Sequence, residues 1–195
     1  MRRPAALALG CALALLVAGC ASPPAKFYTL SADAPPTPRT SKLTIVVGPI
    51  AVPSVIDRPQ IVVTSSANEV TVDEYSRWAS PVQDNIARVV AENLVALLGT
   101  PRVTLFQSPL GAEAEYRVQI EVRNFESAPG KYASLDAVWT VRRLKDGKVE
   151  TGRTSVRESI DAEGFEALAA AHSRGIRKMS QEIADTVRML AGSAS

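Results

Sequence analysis

Glu115-Tyr-Arg-Val-Gln-Ile-Glu-Val-Arg-Asn-Phe125 alternates apolar and polar side chains with a period of two. Tyr116, Val118, Ile120 and Val122 share one face; Arg117, Gln119, Glu121 and Arg123 share the other. Successive side chains of a strand point to opposite faces, so the stretch predicts an antiparallel strand, wet on one side. Downstream, Lys131 to Leu144 repeats the pattern through Ala133, Leu135, Ala137, Trp139 and Val141. Asp146-Gly147 reads as a type I′ hairpin turn, and the more polar Lys148 to Ile160 as its partner, nearer an edge. Upstream, Leu43 to Ile50 is a β-branched apolar strand closed by Gly48-Pro49. Gln60 to Thr64 and Glu69 to Val72 form a hairpin around Ser66 to Asn68. Arg102 to Phe106 is one more short strand.

Two segments change period. Ser80 as N-cap, Pro81 at the first helical position and Gln83 two residues on make a capping box. Val82, Ile86, Val89, Val90, Leu94, Leu97 and Leu98 then form one helical face. Gly99 suits the left-handed C-terminal position, and Pro101 prevents continuation. Asp161 opens a second, longer helix carrying Phe165, Leu168, Ala169, His172, Ile176, Met179, Ile183, Val187 and Leu190 on one stripe. The expectation is a single α+β domain over residues 42–195: a mostly antiparallel sheet with two helices packed on one face.

The N-terminus carries a different signal. Arg2 and Arg3 precede an apolar run from Ala5 to Val17 that is too short for a stop-transfer helix. It ends in Val17-Ala18-Gly19-Cys20, small residues before a cysteine, as a lipoprotein peptidase requires. Residues 1–19 read as the signal peptide and Cys20 as the acylated residue. Each buried methylene contributes roughly 0.8 kcal/mol, so two or more chains anchor firmly where one does not. Ala21, rather than Asp, follows the cysteine, which favours the outer membrane over the inner and places the domain on the periplasmic face. Residues 20–41 hold Pro23, Pro24, Pro35, Pro36 and Pro38 and read as a semi-rigid tether. Phe27 to Leu30 interrupts it as a short edge strand, which would leave only the few preceding residues free.

Composition narrows the function. Lys and Arg total 22 against 20 Asp and Glu. Arg2 and Arg3 leave with the signal peptide, so the mature chain is formally balanced and gives no electrostatic reason to expect nucleic acid. Cys11 leaves too, so no disulfide or thiolate metal site is available within one chain. A zinc site lacks ligands, no Gly-rich phosphate loop is present, and no cofactor is expected. Nucleophilic catalysis of the Ser–His–Asp kind requires a histidine. The one present, His172, falls on the apolar stripe of the last helix and reads as a half-buried packing or interface residue.

Two segments carry candidate contacts. Val52, Pro53, Ile56, Asp57, Arg58, Pro59 and Gln60 lie in a Pro-bracketed loop whose rigidity suits either a turn or a docking element. Tyr75, Arg77 and Trp78 precede the first helix; such residues are the commonest interface anchors, though they equally suit a hydrophobic cluster at the helix entry.

The same segments carry a resemblance. Cys20, Phe27-Tyr28-Thr29-Leu30, Ile45-Val46-Val47-Gly48-Pro49, Val52-Pro53, Ile56-Asp57-Arg58-Pro59-Gln60-Ile61, Arg77-Trp78 and Glu92-Asn93-Leu94 to Gly99 run in an order that resembles PqiC-type (YmbA-like) auxiliary lipoproteins. The resemblance implies a non-enzymatic lipoprotein of the outer membrane that forms a ring homo-oligomer. Its implied partners are an MCE-domain tube protein spanning the periplasm and an inner-membrane transport component, together carrying lipids between membranes. No catalytic residue is implied. A monomeric chaperone-like lipoprotein that assists an outer-membrane machine is the alternative. A periplasmic hydrolase, third, needs His172 in a cleft beside a nucleophile.

Overall fold

The computed structural model describes residues 23–109 and 113–193. The expected signal peptide, residues 1–19, and Cys20 lie outside them. Ten elements follow in order: β1 (Lys26–Tyr28), β2 (Ile45–Ala51), β3 (Gln60–Ser66), β4 (Glu69–Trp78), α1 (Val82–Leu98), β5 (Val103–Leu105), β6 (Tyr116–Ala128), β7 (Tyr132–Arg143), β8 (Val149–Ser159) and α2 (Phe165–Gly192).

The α+β class holds, but the expected antiparallel sheet is two mixed sheets. One is ordered β1-β4-β3 and the other β5-β2-β6-β7-β8. β2 pairs in parallel with both β5 and β6, and β1 in parallel with β4. The physical sign of this is the run Ile45-Val46-Val47, buried without alternation, as befits a central strand covered on both faces. β6, β7 and β8 are antiparallel as expected, and β8 is an edge. Both helices pack on the five-stranded sheet, α1 over β2 and β5, α2 over β7 and β8, and against each other.

The alternation of β6 places Tyr116, Val118, Ile120 and Val122 in the core. A register irregularity between Val122 and Asn124 then shifts the phase by one residue. Phe125 and Ser127 therefore turn inward in place of the next even positions. On β7 the inward series Ala133 to Val141 continues to Arg143, a buried charge. Its guanidinium donates to both carboxylate oxygens of Asp146 and to the Leu190 carbonyl at the end of α2. A cation at a helix C-terminus also complements the helix dipole.

Three local readings are corrected. The β7–β8 connection is a five-residue loop, residues 144–148, closed by the Gly147 N–H to the Arg143 carbonyl, and Gly147 alone within it has positive φ. A type I′ turn needs positive φ at both central residues, and Asp146 does not supply one. Ser80 makes no capping hydrogen bond; α1 is entered from Pro81 in extended conformation. α2 starts at Phe165 after Gly164, not at Asp161. Gly99 does take the left-handed position, with φ 61°.

From Leu30 to Ser41 the proline-rich stretch is not a free tether. Leu30 is buried, the Ser31 N–H donates to the Ser173 hydroxyl, and the Ala34 N–H to the Asn93 side-chain oxygen. The Thr37 and Ser41 N–H groups donate to the carbonyls of Ala96 and Gly99. Prolines lack an N–H of their own, so Pro35, Pro36 and Pro38 fit where few donors need partners.

Candidate partner-contact surface

The structure brings the two candidate segments together. In the β3–β4 ladder Gln60 opposes Arg77, and the Trp78 N–H donates to the Pro59 carbonyl at 2.7 Å. The next rung pairs Ile61 with Asp73, so Glu74, Tyr75 and Ser76 are extra residues that bulge from β4. Asp73 holds the bulge: its carboxylate accepts the N–H groups of Tyr75 and Ser76. The Arg77 side chain donates to the Glu74 carbonyl across it, and the Gln60 amide donates to the Glu74 carboxylate. Sequence alone ended this strand at Val72. A strand interrupted by a wide bulge does not keep its alternation, which is why its last six residues carry no strand pattern in the sequence.

The loop is tightly turned. The Ile56 N–H donates to the Pro53 carbonyl, Asp57 to Ser54, and Arg58 to Ile56. Ile56 is consequently folded inward and buried, while Asp57, Arg58 and Pro59 are exposed and Val52, Pro53 and Gln60 half-buried. On the bulge Tyr75 is exposed and Arg77 half-buried. Trp78 is a core residue, edge-on to Phe125 and His172 with ring centroids 6.3 Å away in each case. Ile56 and Trp78 are thus the inner supports of this surface, and Asp57, Arg58, Pro59 and Tyr75 its outward groups.

His172 is wholly buried rather than half-buried. It stacks on Phe125 at 3.7 Å, and Nε2 lies 2.8 Å from the Ser127 hydroxyl. Desolvation holds its pKa down to about 3. A Ser–His nucleophile requires an orienting group on the other ring nitrogen and access for a substrate. Here Nδ1 has no hydrogen-bond partner among the described residues, and the serine is buried as well. The pair joins β6 to α2.

A second surface was not legible in the sequence. A groove of about 370 Å³ runs between the cis Gly48-Pro49 bond, the start of α1 and the exposed Leu105 and Phe106. Gly48 lets Phe106 approach so closely that a β-carbon there would sit 2.9 Å from the Phe106 Cβ. The Gly-Pro pair inside an apolar strand was its one available signal. Among the described residues no group of His, Cys, Asp and Glu is placed to hold a metal, and no helix is long and apolar enough to cross a membrane.

Fold and surface define a single-domain, two-sheet α+β module whose outward features are a shaped loop and a bulged strand. The chain belongs to the ABC-type transport auxiliary lipoprotein component family, whose model matches residues 28–184. No curated protein matches the sequence. Two crystal structures share the fold. One, an uncharacterized protein, is 17% identical with a TM-score of 0.69, over 85% of this chain and 99% of its own. The other, from Xanthomonas campestris, is 19% identical with a TM-score of 0.69, over 86% of this chain and 99% of its own.

Proposed function

We propose that this protein is a non-enzymatic lipoprotein subunit of an MCE-type transport system that moves lipids between membranes. In this reading it is anchored through Cys20 to the outer membrane, faces the periplasm, and assembles as a ring that receives the end of the tube. The observation that carries the reading is the family match across nearly the whole domain, downstream of a lipoprotein cleavage motif ending in Cys20.

The physics favours a conduit. A lipid crossing water exposes tens of methylenes, each costing roughly 0.8 kcal/mol, and a closed tube with a socket removes that cost. A ring needs heterologous contacts, in which one patch meets a different patch on the next subunit. The Val52–Gln60 loop and the bulge at Tyr75 are the proposed contacts with a neighbour or with the tube.

Light scattering on the chain from Pro23 onward tests the assembly. A closed oligomer that co-elutes with the soluble part of an MCE protein supports the socket. A monomer at high concentration without such a complex rejects it and favours the chaperone-like alternative.

A further inference from the structure

Cys20 and Lys26 are six residues apart. A fully extended chain advances about 3.5 Å per residue, so the two α-carbons are never more than about 20 Å apart. Lys26 is fixed, because it opens β1 and pairs with Ser76 on β4. The later prolines, Pro35, Pro36 and Pro38, add no reach, since they lie after β1 in a segment fastened to the helices. The surface around β1 is therefore the part of the domain that the anchor holds against the lipid.

That surface has the chemistry for it. Directly paired residues share a face of a sheet, so Tyr28 and Trp78 lie on the inner side and Phe27 and Arg77 on the outer. Tyr28 packs on Phe165 with ring centroids 5.7 Å apart. Phe27 is 65% exposed, the most exposed of the large apolar side chains among the described residues. Its ladder partner Arg77 is half-buried, and Lys26, on the opposite face at the start of this edge strand, is exposed. An exposed aromatic ring flanked by cations suits the headgroup region, where aromatics partition and basic groups meet anionic lipid.

The far end is set by α2. Its first turn contacts Tyr28, and its last turn is held by Arg143 at the start of the β7–β8 loop. A helix of 28 residues spans about 40 Å. Resting on the lipoprotein reading above, we propose that Lys26, Phe27 and Arg77 form a lipid-facing edge. Phe27 lies among the headgroups of the anchoring membrane, and the β7–β8 loop stands away from it. The Val52–Pro59 loop at the rim of the same sheet is left to protein contacts.

The test uses the acylated full chain in phosphatidylethanolamine–phosphatidylglycerol vesicles containing a brominated phosphatidylcholine. Acylation blocks Cys20, so a single introduced cysteine carries a bimane label at Phe27→Cys, Lys26→Cys or, as the distant control, Lys145→Cys. The proposal expects most of the emission to be quenched at positions 26 and 27 and none at 145. Equal quenching at all three positions, or no quenching at 26 and 27 on an acylated chain, overturns the orientation. Blue-shifted but unquenched emission at 27 also overturns it and assigns the edge to a protein partner. An intact mass without acyl chains overturns the lipoprotein reading and this inference with it.

Discussion

The Ser127 hydroxyl and Nε2 of His172 are 2.8 Å apart, and both residues are sealed inside the core. The imidazole stays neutral in the folded chain, with its pKa down at about 3, against about 6.5 when unfolded. Between those values the unfolded state binds the extra proton, so stability falls as pH falls through 6.5 towards 3. Between pH 6.5 and 4.5 this group alone removes about 2–3 kcal/mol, at about 1.4 kcal/mol per pH unit. The variant His172→Gln, which keeps a polar end for Ser127, has a flatter dependence of urea midpoint on pH than the parent. Equal slopes in the two proteins would show that the buried histidine does not govern acid sensitivity.

Trp78 and Arg58 belong to neighbouring segments but predict opposite phenotypes. Trp78→Ala empties a core site beneath Phe125 and His172 and costs about 3–5 kcal/mol. Arg58→Ala alters an exposed side chain and changes stability by no more than about 0.5 kcal/mol. If the loop makes partner or subunit contacts, Arg58→Ala weakens assembly in light scattering while its urea curve overlays the parent. A stable, fully assembled Arg58→Ala protein removes that residue from the interface.

Gly152 opposes Trp139 across the β7–β8 ladder. A β-carbon at Gly152 would lie 2.2 Å from the indole ring, which is buried and bonded through its N–H to the Thr154 hydroxyl. Gly152→Ala thus forces a core tryptophan out of place, at about 1–3 kcal/mol. Urea unfolding monitored by tryptophan fluorescence gives the loss, and a changed native emission maximum reports the displaced ring.

The elements were legible wherever a single face meets the core. The β6 and β7 alternation, the α1 stripe and the Gly99 terminus follow from periodicity and backbone sterics, and the structure reproduces them. What periodicity does not carry is who lies beside whom. The parallel pairing of β2 with β5 and β6 joins residues far apart in sequence. The residues that fasten the proline-rich segment were hidden for a related reason. Asn85 and Asn93 are polar yet buried on α1, because their partners are the Arg88 and Ser180 side chains and the backbone of Ala34. The candidate surface was half legible: both segments were identified, but the bulge that joins them depends on Asp73, whose role is visible only in the backbone it caps.

Gly99 ties the end of α1 to the proline-rich segment. With φ 61° it occupies the left-handed region, where a side chain is strained. A β-carbon there would also meet the Arg39 carbonyl oxygen at 1.7 Å, and that backbone has nowhere to go while Ser41 donates to the Gly99 carbonyl. Gly99→Ala therefore combines conformational strain with the release of residues 37–41 from the helix. The cost is at least about 1 kcal/mol from the backbone term alone. The more specific signature is local: trypsin cleaves after Arg39 in the variant well before the domain unfolds, while the parent resists. Had the segment been the free tether its composition suggests, parent and variant would be cut at the same rate.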